Sequence, residues 1–235
     1  MEDGKKMNNL EVLYEDNHII VVIKPFNVPT QEDSSKDLDM LTIIKQYLKE
    51  KYNKPGNVYL GLVHRLDRPA GGVMVFAKTS KAASRLSEEV RNRTIKKSYL
   101  AVVYGKTNDK EKLINYISKD SKTNSSYIDE KSGKESILTY STIKYDFNNN
   151  LSLIHVDLET GRHHQIRLQM SNIGHTLFGD QRYGIQDKNQ LALYAYKLEF
   201  IHPVTKEKMS FMKLPEKTGV WKILEGVNCD EKLIH

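Results

Sequence analysis

The chain alternates short apolar runs with polar stretches, and the length and spacing of each run separate strands from helices. HIIVVIKP, from His18, is apolar at 19–23 and then meets a lysine and Pro25. So short an unbroken run reads as a buried strand, stopped by the proline. GVMVFA at 72–77, YLAVVY at 99–104 and residues 137–145, 151–158 and 193–201 read as further strands. Helical spacing appears at 38–51, where Leu41, Ile44 and Leu48 recur and Lys49 and Lys51 suit the last turn. A second helix follows a cap at Thr79 or Ser80, with Ala82, Leu86 and Val90 as its stripe. Residues 163–173 look helical, with Ile166, Met170 and Ile173 on one side, and a short helix is expected over 216–224. NKPGN at 53–57 is a turn. The polar segment 107–135 reads either as a flexible insertion or, through INYIS and SSYID, as a hairpin. Strands outnumber helices without alternating regularly, so the expected class is α+β rather than a doubly wound sheet. With no repeat and no convincing linker, one catalytic domain is expected over 10–228, between tails at 1–9 and 229–235.

Composition adds bounds. The chain has 235 residues, 39% hydrophobic and 28% charged, as a globular protein does. No apolar run approaches the roughly 18 residues that span a bilayer. The start, MEDGKKMNNLEVLYED, lacks the apolar core of a secretion signal, so a cytoplasmic protein is expected. A single cysteine, Cys229, excludes an internal disulfide and a thiolate zinc site. No interface signal stands out, so a monomer is expected. The net charge of +6 suits a polyanionic partner.

Several chemistries are missing. There is no P-loop, no Rossmann glycine pattern, no HExxH and no GxSxG. No metal site is expected, because the histidines lack ligand spacing. Two segments concentrate charge and glycine between strands. In GLVHRLDRPAGG, from Gly61, His64, Arg65, Asp67 and Arg68 crowd a turn. Opposite charge keeps a lone carboxylate ionised, and an ionised carboxylate is a nucleophile or a base. The same spacing also describes an ordinary surface ion-pair cluster. In LETGRHHQIRLQMSNIGHTLFGDQRYG, from Leu158, Arg162, His163, His164 and Arg167 gather where a helix begins. His163, Arg167 and Met170 fall on roughly one helical face. Cations there oppose the helix dipole, which points to an anionic partner or to a solvated basic face. A third stretch sets Lys78, Lys81, Arg85, Arg91, Arg93, Lys96 and Lys97 against Glu88 and Glu89, a local charge of +5. It suits a phosphate backbone, or again a solvated basic helix.

Taken in order, these segments resemble the RluA-type family of pseudouridine synthases. HRLD (64–67), KPFNVPTQ (24–31), KKSYLAVVYG (96–105), the TGRHHQIR and GDQRYG elements and LYAYKLEFIHPVT (193–205) all resemble family motifs. The order runs from about residue 10 to 224. The resemblance implies a pseudouridine synthase fold: a mixed, mostly antiparallel central sheet, flanking helices and an RNA cleft. It implies Asp67 as nucleophile, Arg167 as its partner and Tyr99 packed on the target base. His64, Arg65, Arg68, Lys78, Arg85, Arg93, Lys96, Lys97, Arg162 and His163 are expected to bind RNA, ribosomal or transfer. The isomerisation involves no redox change, so no cofactor is expected. The chain departs from the pattern at Ala70 and Gly71, where relatives have Thr-Ser, at Asn27, where glycine is common, and at Gln31, near a usual histidine. Only about ten residues precede the first strand, so an N-terminal S4 RNA-binding domain is expected to be absent.

Overall fold

The computed structural model describes residues 10–228; the expected tails and Cys229 lie outside the described residues. The chain forms two compact units. The first holds the chain through Ile95 and a returning segment, Leu198–Met212. Its β1 (Val12–Glu15) turns at Asp16, whose Oδ1 accepts the backbone N–H groups of His18 and Ile19 at 2.7 and 2.8 Å. That side-chain turn returns the chain antiparallel as β2 (Ile19–Lys24). α1 (Met40–Lys51) is capped by Asp39, which accepts from the N–H groups of Leu41 and Thr42, and it buries Met40, Ile43, Ile44 and Leu48. After β3 (Gly61–Leu62), β4 (Gly71–Ala77) pairs with β2 from Ile19↔Ala77 to Lys24↔Gly72. Both strands are buried at every position, which is why their sequences show no alternation. α2 (Ser80–Arg91), capped by Thr79, sets Ala82 and Leu86 against Val73, Val75, Leu198 and Phe200.

The second unit holds Lys96–Lys197 and the chain from Lys213 on. It contains β5 (Lys96–Tyr104), β6 (Lys110–Asp120), β7 (Ser125–Ile128), β8 (Lys134–Asp146) and β9 (Leu151–Leu158), in the order β5-β9-β8-β6-β7 and antiparallel throughout. The polar segment is therefore a paired hairpin rather than a flexible insertion. β6 bonds β8 from Lys110↔Ser141 to Ile117↔Lys134 and bonds β7 from Ile117↔Ile128 to Asp120↔Ser125. Its polarity reflects burial of only Leu113 and Ile117 along β6. α3 (Gln165–Asn172) buries six residues in a row, three of them Gln165, Arg167 and Gln169. Buried polar groups need partners. Gln165 accepts from Thr160 Oγ1 at 2.8 Å and donates to Gln169, which donates to Asn115 on β6 and to the carbonyl of Ser136 on β8. β10 (Leu193–Ile201) begins in this unit and ends in the first, where β11 (Lys208–Met212) pairs with it. The short helix expected at 216–224 is a 3-10 helix, Gly219–Leu224, whose Trp221 meets Tyr194 edge-on. The result is α+β, a mixed sheet of mostly antiparallel strands with few helices. Among the described residues no helix is long and apolar enough to cross a membrane.

Glu15 joins β1 to α1 and to the start of α2. Its carboxylate accepts from Lys51 at 2.7 Å, Lys78 at 2.6 Å, Tyr52 at 2.8 Å and Tyr47 at 3.1 Å. Burial opposes its charge, but the bonds from Lys51, Lys78 and Tyr52 outweigh burial and hold the carboxyl down at about 2. A depressed carboxylate pKa adds stability above the ordinary value of 4.5 and loses it as pH falls toward about 2. Glu15→Gln should cost roughly 3 kcal/mol at neutral pH, because Lys78 is left buried without its counter-charge. Urea unfolding of both proteins should show that gap shrinking below pH 4.5; a gap unchanged on acidification would refute the ion-pair account.

Candidate active site

In the first unit the site is built around the loop between β3 and β4. Asp67 sits half-buried on it, between the buried Leu66 and the exposed Arg68. The Ala70 N–H donates to the Asp67 carbonyl at 3.0 Å and closes a turn. The residues on either side of Asp67 are both held through their carbonyls, Leu66 by Thr30 and Arg68 by Lys24 at the end of β2. Thr30 Oγ1 donates to the Leu66 carbonyl at 2.9 Å and accepts the Leu66 N–H at 3.3 Å. Lys24 Nζ donates to the carbonyls of Arg68 at 3.0 Å, Val28 at 2.6 Å and Pro25 at 3.1 Å. Lys24 has no exposed surface. Desolvation pulls its pKa down to about 7, while the Asp67 carboxylate pulls it up and Arg68 pushes it down. Asn27, where the family pattern has glycine, takes the left-handed φ of 64° that glycine favours and asparagine tolerates. His64 anchors the other flank, its Nε2 accepting the Val75 N–H of β4 at 3.2 Å.

In the second unit Arg167, on α3, is gripped by Asp180. Nε donates to Oδ2 at 2.8 Å and Nη2 to Oδ1 at 2.7 Å, a two-pronged bond with both side chains buried. Burial opposes the Asp180 charge, but Arg167 and the N–H groups of Arg182 and Tyr183 outweigh it and hold its pKa below the usual carboxylate range. The Arg167 guanidinium lies 5.3 Å from the centre of the Tyr183 ring. Gly179, just before Asp180, has φ 73°, and a Cβ there would meet the Gln190 carbonyl at 2.3 Å, so only glycine fits. Tyr99, on β5, is 6% exposed.

The RNA pseudouridylate synthase family matches residues 18–172, the span holding the Asp67 loop and all of α3. The chain belongs to this family. It is 34% identical over 218 residues to the ribosomal large subunit pseudouridine synthase C of Buchnera aphidicola subsp. Acyrthosiphon pisum, covering 87% of this chain and 66% of that one. It is 31% identical over 223 residues to the tRNA pseudouridine synthase C of Haemophilus influenzae, covering 86% and 91%. The chain thus spans just under two thirds of the first of these relatives. Among solved structures, human RNA pseudouridylate synthase domain containing 1 superimposes with a TM-score of 0.74 at 23% identity, over 94% of this chain and 89% of that one. That likeness concerns the fold.

Seen against this family, the charged residues divide by environment. Arg65, Arg93 and Lys96 are exposed. Arg68 is exposed too, but it bonds Ser35 at 2.8 Å and pairs with Asp33 and Asp37. Lys78 turns inward to Glu15 and to the Asp16 carbonyl. Arg85 donates to the Pro203 carbonyl at 2.5 Å. Lys97 is half-buried, and desolvation lowers its pKa. Arg162 donates through Nε to the Glu135 carbonyl at 3.2 Å. His163 does not share a helical face with Arg167 and Met170. His164 takes φ 53°, so the helix starts at Gln165 and His163 stays in the preceding turn, stacked on His164 at 3.7 Å. Sequence reasoning missed Lys24, Thr30 and Asp180. The signal for Lys24 was a lysine ending an otherwise apolar strand, and for Asp180 a carboxylate following a glycine that must be glycine. Among the described residues no cluster of three or more His, Cys, Asp or Glu is placed to hold a metal.

Asp180→Asn should destabilise the protein by about 3 kcal/mol, since it strands a buried guanidinium. Urea unfolding at neutral pH measures this, and a loss below about 0.5 kcal/mol would mean that the pair contributes little.

Proposed function

We propose that this chain converts uridine in RNA to pseudouridine, with Asp67 as the nucleophile. The observation that carries the reading is the double clamp around Asp67: Thr30 holds the Leu66 carbonyl before it and Lys24 the Arg68 carbonyl after it. A solvated surface carboxylate needs no such support, whereas a reacting group gains from being held in its attacking geometry. Membership of the RNA pseudouridylate synthase family supports the same reading. The names of the relatives support ribosomal or transfer RNA as the substrate.

The reaction exchanges a carbon–nitrogen glycosidic bond for a carbon–carbon bond within one nucleotide. The target base first leaves its stack, at a cost of a few kcal/mol that phosphate contacts offset. An ionised carboxylate breaks the glycosidic bond by one of two routes, attack on the anomeric carbon or removal of the neighbouring ribose proton. The detached uracil turns, bonds through carbon-5 and loses the carbon-5 proton. Tyr99 is the proposed stacking platform that keeps the uracil from leaving, worth about 1–3 kcal/mol. Arg167 is the proposed catalytic cation, held in one rotamer by Asp180.

With ribosomal and transfer RNA tritiated at carbon-5 of uridine, the wild type should release tritium to water and leave pseudouridine in the digested RNA. Asp67→Asn should release none while still binding the RNA. Turnover by Asp67→Asn at the wild-type rate would remove Asp67 from the mechanism, and free uracil as product would indicate a hydrolase instead. Thr30→Val, which cannot make either bond to Leu66, should lower kcat about 10- to 100-fold with RNA affinity unchanged. A kcat equal to wild type would show that the clamp does not position Asp67.

A further inference from the structure

The second unit contains a cleft of about 300 Å³ between the β6–β7 hairpin, the start of β8 and the turn at Gly161–His163. Strand register explains its chemistry. Lys119 lies opposite Ser126, and Ile117 lies opposite Lys134, so Lys119, Ser126 and Lys134 share one face of the sheet. Arg162 and His163 close the cleft from the turn before α3, and Ser132 adds a hydroxyl. No carboxylate lines it. The nearby Asp129 is already occupied, accepting from Ser118 Oγ at 2.7 Å and from the N–H groups of Lys131 and Ser132. Lys119, Lys134 and Arg162 have no carboxylate partner among the described residues; Arg162 spends only Nε, on a backbone carbonyl.

Three cations around one concavity repel each other, and a built protein surface normally relieves this with acids. No carboxylate in the cleft lining supplies that relief, and Lys119 is also the smallest of the charges acting on His164 behind it. Desolvation, then the charges of Arg167, His163, Arg182 and Lys119, push the His164 imidazole down to about 2. The hairpin that carries Lys119 is held firmly in place: Ser126 donates through its N–H to Tyr183 OH at 2.7 Å and through Oγ to the His163 carbonyl at 2.8 Å, and Arg182 donates to the Thr123 carbonyl. The cleft has no Phe, Tyr or Trp on which a base could stack. Its donors suit an oxyanion: a planar guanidinium for paired oxygens, two ammonium groups as point charges, and a hydroxyl.

We infer that this cleft is a subsite for a backbone phosphodiester of the RNA substrate, gripped by Arg162, Lys119 and Lys134. The inference rests on the proposed RNA-modifying function and adds a contact that grips the chain without reading its bases.

The test measures binding of a fluorescent oligouridylate over a range of KCl concentrations. It compares wild type, the exposed-residue double variant Lys119→Gln/Lys134→Gln, and a control of equal charge change on α1, Lys45→Gln/Lys49→Gln. The cleft variant should lose about one unit of slope in log affinity against log salt and about tenfold in affinity at low salt, whereas the control should keep the wild-type slope. Lys119→Arg/Lys134→Arg should restore the slope. In tritium release the cleft variant should raise KM with kcat within about twofold of wild type. A slope unchanged in the cleft variant, or reduced equally in the control, would overturn the subsite while normal pseudouridine formation by the wild type left the proposed function standing. No pseudouridine from the wild type would overturn both.

Discussion

A lysine ammonium without access to water has to be solvated by the chain itself, and the loop bearing Asp67 is shaped by that requirement. Lys24 ends β2, a strand buried on both faces, so its amine emerges where no water reaches. Three carbonyls fold around it, two from the KPFNVPTQ segment and one from Arg68. To present two carbonyls within five residues, the segment must curl, which the proline and the left-handed Asn27 allow. The third carbonyl brings the HRLD loop onto that curl, and Thr30 closes the contact at Leu66. Burial of one charge thus draws in three carbonyls, and the two bonds between Thr30 and Leu66 follow from the same convergence.

The second unit applies the same logic with opposite sign. The Asp180 carboxylate is buried, and it is satisfied by a guanidinium and two backbone N–H groups. Leaving either partner alone would be far costlier than having neither, so each fixes the other's rotamer. The glutamine pair on α3 forms a second chain of bonds, to β6 and β8. A helix with six buried residues in a row cannot be amphipathic, and it is tolerated here because its polar side chains bond to the sheet on which they lie.

The remaining cations are sorted by the same competition. Lys78, Arg68 and Arg85 each find an acceptor within the protein and are held by it. Among the described residues Lys119, Lys134 and Arg162 find no carboxylate. The difference comes from tertiary pairing: β6 and β8 place their lysines on one face, while Asp129 is taken up by its own turn and by Ser118.

The sequence determined the strands that are apolar at every position, the two capped helices and the order of the family motifs, because each of these is written in local periodicity, a capping residue or a contiguous string. It determined β10 to the residue, since a turn at His202-Pro203 ends it. It left the 107–135 segment open, because a strand that buries only Leu113 and Ile117 resembles a polar loop until its neighbour is known. It put His163 on the helix, because nothing in HH announces that the second histidine will adopt a left-handed φ. Lys24, Thr30 and Asp180 act on residues 44, 36 and 13 positions away. Such bonds depend on which backbone carbonyl or guanidinium the folded chain brings within 3 Å, a distance that only tertiary structure sets.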